Sequence, residues 1–139
     1  MGIFDKLFGK KKSVTINTEQ NDAKDRDEYI ADLRKAAAQG DSTVVDFQAA
    51  ADIRTVDDQL FVGILYAHGR GVAQNDAKAF KWIQKAAEQG LDRAQFNLGE
   101  MFEHGRGATQ SYEKAREWYQ KAAKQGHEGA KEALKRLLK

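Results

Sequence analysis

The sequence predicts an all-α fold, a short solenoid of stacked helix-turn-helix units, and three observations carry that prediction. The first is self-similarity. Gly63-Ile64-Leu65-Tyr66-Ala67-His68-Gly69-Arg70-Gly71 returns 36 residues later as Gly99-Glu100-Met101-Phe102-Glu103-His104-Gly105-Arg106-Gly107. Aligned without a gap, positions 63–90 and 99–126 are identical at 15 of 28 pairs, and a period of roughly 20–50 residues marks units that stack because none can bury its own apolar face. The second is the lack of proline in 139 residues, joined to plentiful Ala, Lys, Glu, Gln and Leu, all good helix formers. The third is the placement of glycine, which gathers at the repeat boundaries, where helices must stop.

Residues 1–12 differ from the rest. On a helical wheel Ile3, Phe4, Leu7 and Phe8 fall within an arc of about 140°, opposite Asp5 and Lys6, and Lys10, Lys11 and Lys12 follow. Such a short basic amphipathic segment suits weak contact with an anionic membrane surface, worth ~1 kcal/mol per lysine near the lipid. A short linear motif for a partner protein and a solvated tail are the other readings. Myristoylation is not expected, because its pattern wants Ser or Thr where Lys6 stands. Residues 13–22 read as a polar linker.

A helix is expected from about Ala23, capped by Asn21 or Asp22, running through Tyr29, Ile30, Leu33 and Ala37 to a stop at Gly40. Its end, Arg34-Lys35-Ala36-Ala37-Ala38-Gln39-Gly40, resembles the stretches 84–90 and 120–126. It lies 50 residues before the first of these instead of 36, so residues 23–57 read as a divergent opening half-repeat with an insert. Val44, Val45, Phe47 and Ala49–Ala51 in the insert suit a further short helix. Two full repeats, about 58–93 and 94–129, then follow. In the second, helix A is expected at Asp92–His104 with Ala94, Leu98, Met101 and Phe102 as its core stripe. Helix B follows Ser111 and runs to Gln125, with Ala115, Trp118, Tyr119, Ala122 and Ala123 turned inward. In the first repeat Asn75 caps helix B and Trp82 anchors it. Residues 127–139 form a capping helix, basic on its outer side at Lys131, Lys135, Arg136 and Lys139.

The composition excludes several function classes. Net charge is only +2, although 32% of residues are charged, so no basic face marks the chain as a nucleic-acid binder. Cysteine is absent, which removes disulfides and thiolate metal sites. No apolar run approaches the ~20 residues of a membrane span, and no secretory signal core is visible. A cytoplasmic location is expected, at most peripheral at the inner membrane, and the chain is expected to be a monomer.

The repeat residues resemble the Sel-1-like repeat, a relative of the tetratricopeptide repeat. The pattern of that family is met by Val62, Gly63, Tyr66, Gly69, Gly71, Val72, Ala79, Trp82, Ala86, Ala87 and Gly90. The second copy meets it at Ala94, Leu98, Gly99, Phe102, Gly105, Gly107, Ala115, Trp118, Ala122, Ala123 and Gly126. The resemblance covers about residues 58–134. Departures are Asn75 and Ser111 for the Asp before helix B, Ala73 and Thr109 for a loop Pro, and Asp58 for the opening Ala. It implies a right-handed α-solenoid with atypical end helices, used as a scaffold that holds a partner protein or peptide on its concave face, which helix A lines. Secreted, cysteine-rich members that bind or hydrolyse β-lactams depend on a disulfide per repeat, so that activity is the least expected. A small inhibitory or immunity-type protein, and an adaptor tethered through residues 1–12, are the alternatives.

The candidate protein-binding residues are therefore the positions of helix A outside its core stripe: Phe61, Ile64 and His68 in the first repeat, Asn97, Glu100 and His104 in the second. Phe96 and Glu103, with Leu60 and Ala67 opposite them, share that side of the wheel. Phe61 and Ile64 form an apolar hot spot unless residues 44–57 cover them. His68 and His104 occupy one repeat position and are expected about 10 Å apart, too far for one metal ion to bridge. His127, after a helix-ending glycine, is expected to be solvated. Gly-Arg-Gly follows a helix, not a strand, and reads as a turn instead of a phosphate cradle. Trp82 and Trp118 read as core, with Trp118→Ala expected to cost ~3–5 kcal/mol. No catalytic residue, cofactor or metal is called for.

Overall fold

A computed structural model describes residues 20–39 and 53–138, with side chains from Ala23 onward. The described residues form six helices: α1 (Gln20–Ala38), α2 (Val56–His68), α3 (Asp76–Glu88), α4 (Asp92–His104), α5 (Tyr112–Lys124) and α6 (Glu128–Leu137). Residues 1–12, most of the linker, Gly40, the insert at 44–51 and Lys139 lie outside the described residues. Helix α1 begins at Gln20, three residues before the expected start, which takes the end of the linker into the helix.

Four of the described helices start where a side chain satisfies an orphan amide; α4, preceded by Leu91, has no side-chain cap. Thr55 caps α2, and the Asp58 carboxylate accepts back from the Thr55 amide at 2.9 Å. Asp58, the departure from the repeat pattern, is thus half of a capping box that fixes the first helix A. Asn75 and Ser111 cap α3 and α5 by accepting from Lys78 and Lys114 amides. Helices α2 and α4 end at Gly69 and Gly105, both left-handed at φ 66° and 67°. The units begin at Val56 and Asp92, two residues before the expected boundaries.

Two devices repeat with the period and hold helix A to helix B. The first is close approach. A Cβ on Gly63 would meet Ile83 Cγ1 at 2.5 Å, and one on Gly99 would meet the Tyr119 ring at 2.6 Å. The second is a pair of glutamines. The Gln89 amide donates to buried Gln59 at 2.7 Å, and Gln125 donates to buried Gln95 at 2.9 Å. Buried polar groups need such partners, since an unmade hydrogen bond costs ~1–3 kcal/mol. Asp57 and Arg93, also 36 residues apart, pair across the two units.

Helix α1 sits on the first unit in an unexpected direction. Asp32 meets Lys78 at 2.8 Å, whereas Asp25 meets Lys81 at 3.3 Å and Lys85 at 3.0 Å. Numbers rise along α3 as they fall along α1, so the two run antiparallel. Its last turns read like a helix B, yet it is not laid down as one. The Tyr29 ring packs edge-on against Tyr66 at 5.9 Å and Trp82 at 6.2 Å. One unit later, Phe80 of α3 packs in the same manner on Phe102, the counterpart of Tyr66. Helix α1 therefore covers the surface that a preceding helix B would cover, and Tyr29, Leu33 and Ala36 are its buried stripe.

The two tryptophans are not equivalent, which corrects the expectation for Trp118. Trp82 is 2% exposed under Tyr29. Trp118 is half-buried, with the Lys121 ammonium 4.4 Å from its ring centroid as a partial lid. Among the described residues no aromatic ring packs on Trp118 as Tyr29 does on Trp82. The core stripe of α4 is as expected, with Ala94, Leu98, Met101 and Phe102 all buried.

Candidate functional site

Helices α2 and α4 bring their C-terminal halves together on one side of the stack. Ile64, Ala67 and His68 of α2 line a groove of about 360 Å³ with Asn97, Glu100, Met101 and His104 of α4. Buried Ile83 of α3 forms its floor and Arg106 stands at one end. Positions 97, 100 and 104 share a helix face because they are three and four residues apart. Five of the six sequence-derived candidates thus line a single groove. Phe61 does not line it. It occupies the position in α2 that Asn97 has in α4, and it is 59% exposed.

Arg106 was not among the candidates. Its guanidinium donates to Asp76 at 3.2 Å and to the Ala67 carbonyl at 3.5 Å, which ties the turn after α4 to the first unit. The Gly-x-Gly pattern marks a turn in the sequence but does not say that its middle residue folds back over the groove.

A second hollow of about 310 Å³ lies between α4 and α6, lined by Phe96, Glu100, Tyr119, Gly129, Glu132, Ala133 and Arg136. Glu100 belongs to both hollows and separates them. Much of this residue stays in water, yet burial of the carboxyl pushes its pKa up; His104 opposes that shift and Glu103 reinforces it. Among the described residues Glu100 has no hydrogen-bond or ion-pair partner.

Glu103, one of the non-core positions on the wheel, is 5% exposed and serves the fold instead. Its carboxylate accepts from Arg136 twice, once at 3.0 Å, and from the Tyr119 hydroxyl at 2.6 Å. These bonds, Arg136 foremost, hold its pKa at about 2 against the raising effect of burial. Burial, with Glu103 as hydrogen-bond acceptor, pushes Tyr119 well above the usual phenol range. Of the outer basic face expected of α6, Arg136 stays exposed but spends its guanidinium on Glu103. A folded-state pKa below the ordinary value of 4.5 makes the carboxylate stabilising above that value, with the contribution lost as pH falls towards 2. After allowance for screening at the 58% exposed Arg136 side chain, about 2 kcal/mol is expected to go. Urea midpoints of the wild type should fall between about pH 5 and pH 2.5 more steeply than those of Glu103→Gln. Parallel profiles would remove Glu103 as the acid-sensitive group.

His127 also departs from expectation. Its Nδ1 accepts from the Ala130 amide at 3.1 Å and caps α6, while its ring stacks on Phe96 at 4.6 Å. Capping by imidazole is rare enough that only the spacing to the following helix hinted at it. No group of three or more His, Asp or Glu side chains that could hold a metal is present among the described residues. None of the described helices is long and apolar enough to cross a membrane.

A family model, the Sel1 repeat, matches residues 33–41, 56–91 and 92–127. The last two spans coincide with α2–α3 and α4–α5, and the first with the end of α1. The chain is similar to a Sel1 repeat protein from Oxalobacter formigenes, with 35% identity and a TM-score of 0.57 over 78% of this chain and 43% of that one. It is similar also to c5321, described as a protective antigen present in uropathogenic Escherichia coli strains displaying an SLR fold. There identity is 33% and TM-score 0.55, covering 79% of this chain and 25% of that one. The chain thus spans less than half the length of either. Helicobacter pylori cysteine rich protein B shares the fold at 17% identity and a TM-score of 0.57, with 85% of this chain and 98% of that one covered. No curated protein matches.

Proposed function

The chain belongs to the Sel1 repeat family, and on that premise we propose that it is a non-enzymatic adaptor holding a partner protein or peptide in the groove between α2 and α4. The observation that carries this reading is an internal contrast. The positions of close approach and of the glutamine pairs are the same residue in both units: Gly63 and Gly99, Gln59 and Gln95, Gln89 and Gln125, Gly71 and Gly107. On the outer face of helix A the units differ, Phe61 against Asn97 and Ile64 against Glu100, while His68 and His104 are alike. Packing needs the first set, whereas Phe61 and Glu100 are exposed and Ile64 and Asn97 only partly buried, so this face is where the two units are free to specialise. The groove wall offers apolar contact at Ile64, Ala67 and Met101 and hydrogen bonding at Asn97, without a nucleophilic hydroxyl or thiol. A cleft of this size lies at the small end of the ~300–1,000 Å³ typical of ligand sites, which suits a few side chains of an extended segment better than a whole helix.

On this reading exposed Phe61, on the same helix as Ile64, adds apolar contact outside the groove. The double change Phe61→Asp with Glu100→Lys is expected to abolish stoichiometric partner capture from native lysate while leaving far-UV helicity intact. Undiminished capture by a helical double variant would remove the groove from consideration.

A further inference from the structure

The groove has apolar contacts at Ile64, Ala67, Ile83 and Met101 and a carboxylate without a hydrogen-bond or ion-pair partner, and that combination specifies what should lie in it. Arg106 is engaged by Asp76 and Arg136 by Glu103, so the two guanidinium groups beside the groove are already matched. Glu100 feels His104, Arg106 and Arg136 only at longer range, has no hydrogen-bond or ion-pair partner among the described residues, and stands where both hollows can reach it. A carboxylate partly withdrawn from water and lacking a donor is raised in free energy, and a cation that supplies one lowers it. An anionic ligand would do the reverse.

We propose that the ligand is an extended peptide in which a lysine or arginine stands next to a large apolar residue, with the cation seated on Glu100. This deepens the concave-face reading and rests on it. The apolar neighbour enters between Ile64, Ala67 and Met101 over Ile83. The aliphatic stem of the cationic side chain follows the apolar wall until its head meets the carboxylate, the arrangement long basic side chains take at such borders. Asn97, one turn before Glu100 on the same face, offers a donor and an acceptor that match one peptide unit of an extended backbone. Phe96, stacked on His127, walls the far hollow and supplies the aromatic surface beyond the cation.

The test uses the full chain and three fluorescent nonapeptides with Gly-Ser flanks and centres Leu-Lys-Phe, Leu-norleucine-Phe and Leu-Glu-Phe, titrated by polarisation at neutral pH. Norleucine keeps the stem of lysine and removes its charge. The lysine peptide is expected to bind about tenfold tighter than the norleucine peptide, and the glutamate peptide weakest. Glu100→Gln should erase the difference between lysine and norleucine without lowering norleucine binding. Ile64→Asp should weaken all three. If lysine and norleucine bind the wild type equally, or Glu100→Gln keeps the preference, the cation assignment is wrong while an Ile64-dependent site remains. If Ile64→Asp, with helicity retained, leaves binding unchanged, the groove itself is not the site and both readings fall. Absence of any lysine-peptide binding below about 1 mM also overturns the cation assignment.

Discussion

Trp82→Ala is expected to lower the unfolding free energy by about 4 kcal/mol, and Trp118→Ala by only about 1–2 kcal/mol. The two residues hold the same place in their repeats and differ in what covers them. Trp82 lies under Tyr29 at the junction of α1, α2 and α3, so truncation opens a cavity that three helices would have to close. It would also loosen the edge-on contact that seats α1. Trp118 is only partly buried at the edge of the core, and alanine there gives up the contact with Lys121 and part of a buried face. Urea unfolding followed by far-UV circular dichroism measures both. Equal losses would mean that Trp118 is as enclosed as Trp82, contrary to the packing described above. In so short a stack neighbouring units support one another, so the Trp82 loss should appear in the whole transition and not in one unit alone.

Gly107→Ala should cost about 3 kcal/mol, the second-largest effect expected. Two strains add at that position. The residue sits at φ 74°, where a side chain costs ~1–2 kcal/mol. In addition, a Cβ would lie 2.3 Å from the Asp76 carbonyl oxygen and 2.8 Å from Phe80 Cβ. The turn after α4 is pressed against the first turns of α3, so the new methyl group meets backbone that is itself anchored by the Asn75 cap. Gly126→Ala is the control: φ is 93°, yet nothing lies within 4 Å of the added atom. It should lose only the conformational part, about 1 kcal/mol. A Gly107→Ala variant no worse than Gly126→Ala would show that the turn does not bear on α3.

These two cases mark how far the sequence could be read. Periodicity gave the number and kind of elements from Val56 onward, and helix α4 falls on the residues expected of it, Asp92–His104. Local chemistry supported that reading, because glycine stops and Asn or Ser caps act within a few residues of themselves. Five of the six groove candidates were legible for the same reason: a helical wheel sorts side chains by face, whatever the partner helix is. What escaped depends on contacts between helices. Glu103 looks like a surface residue on its own helix and is buried only because Tyr119 and Arg136 reach it from α5 and α6. Gly107 is plainly a turn residue, but its pressure on Asp76 belongs to another repeat. The glutamine pairs were visible as identical letters in both copies and said nothing alone about being joined. The direction of α1 was the least legible feature, since Arg34 to Gln39 spell the end of a helix B while Asp25, Glu28 and Asp32 answer lysines on a helix that runs the other way.

The reversed seat of α1 bears on how such a chain can lengthen. A 36-residue unit spliced between Leu91 and Asp92 would carry its own glycine approach and glutamine pair within it and would meet, on either side, a surface of the kind that α3 and α4 already join. The same unit placed before Val56 would have to evict Tyr29 from Tyr66 and Trp82 and break the lysine pairs along α3. Growth by duplication is therefore easy from within and hard at the α1 end, and every internal duplication would add one more stretch of groove whose facing residues start as copies and are then free to diverge.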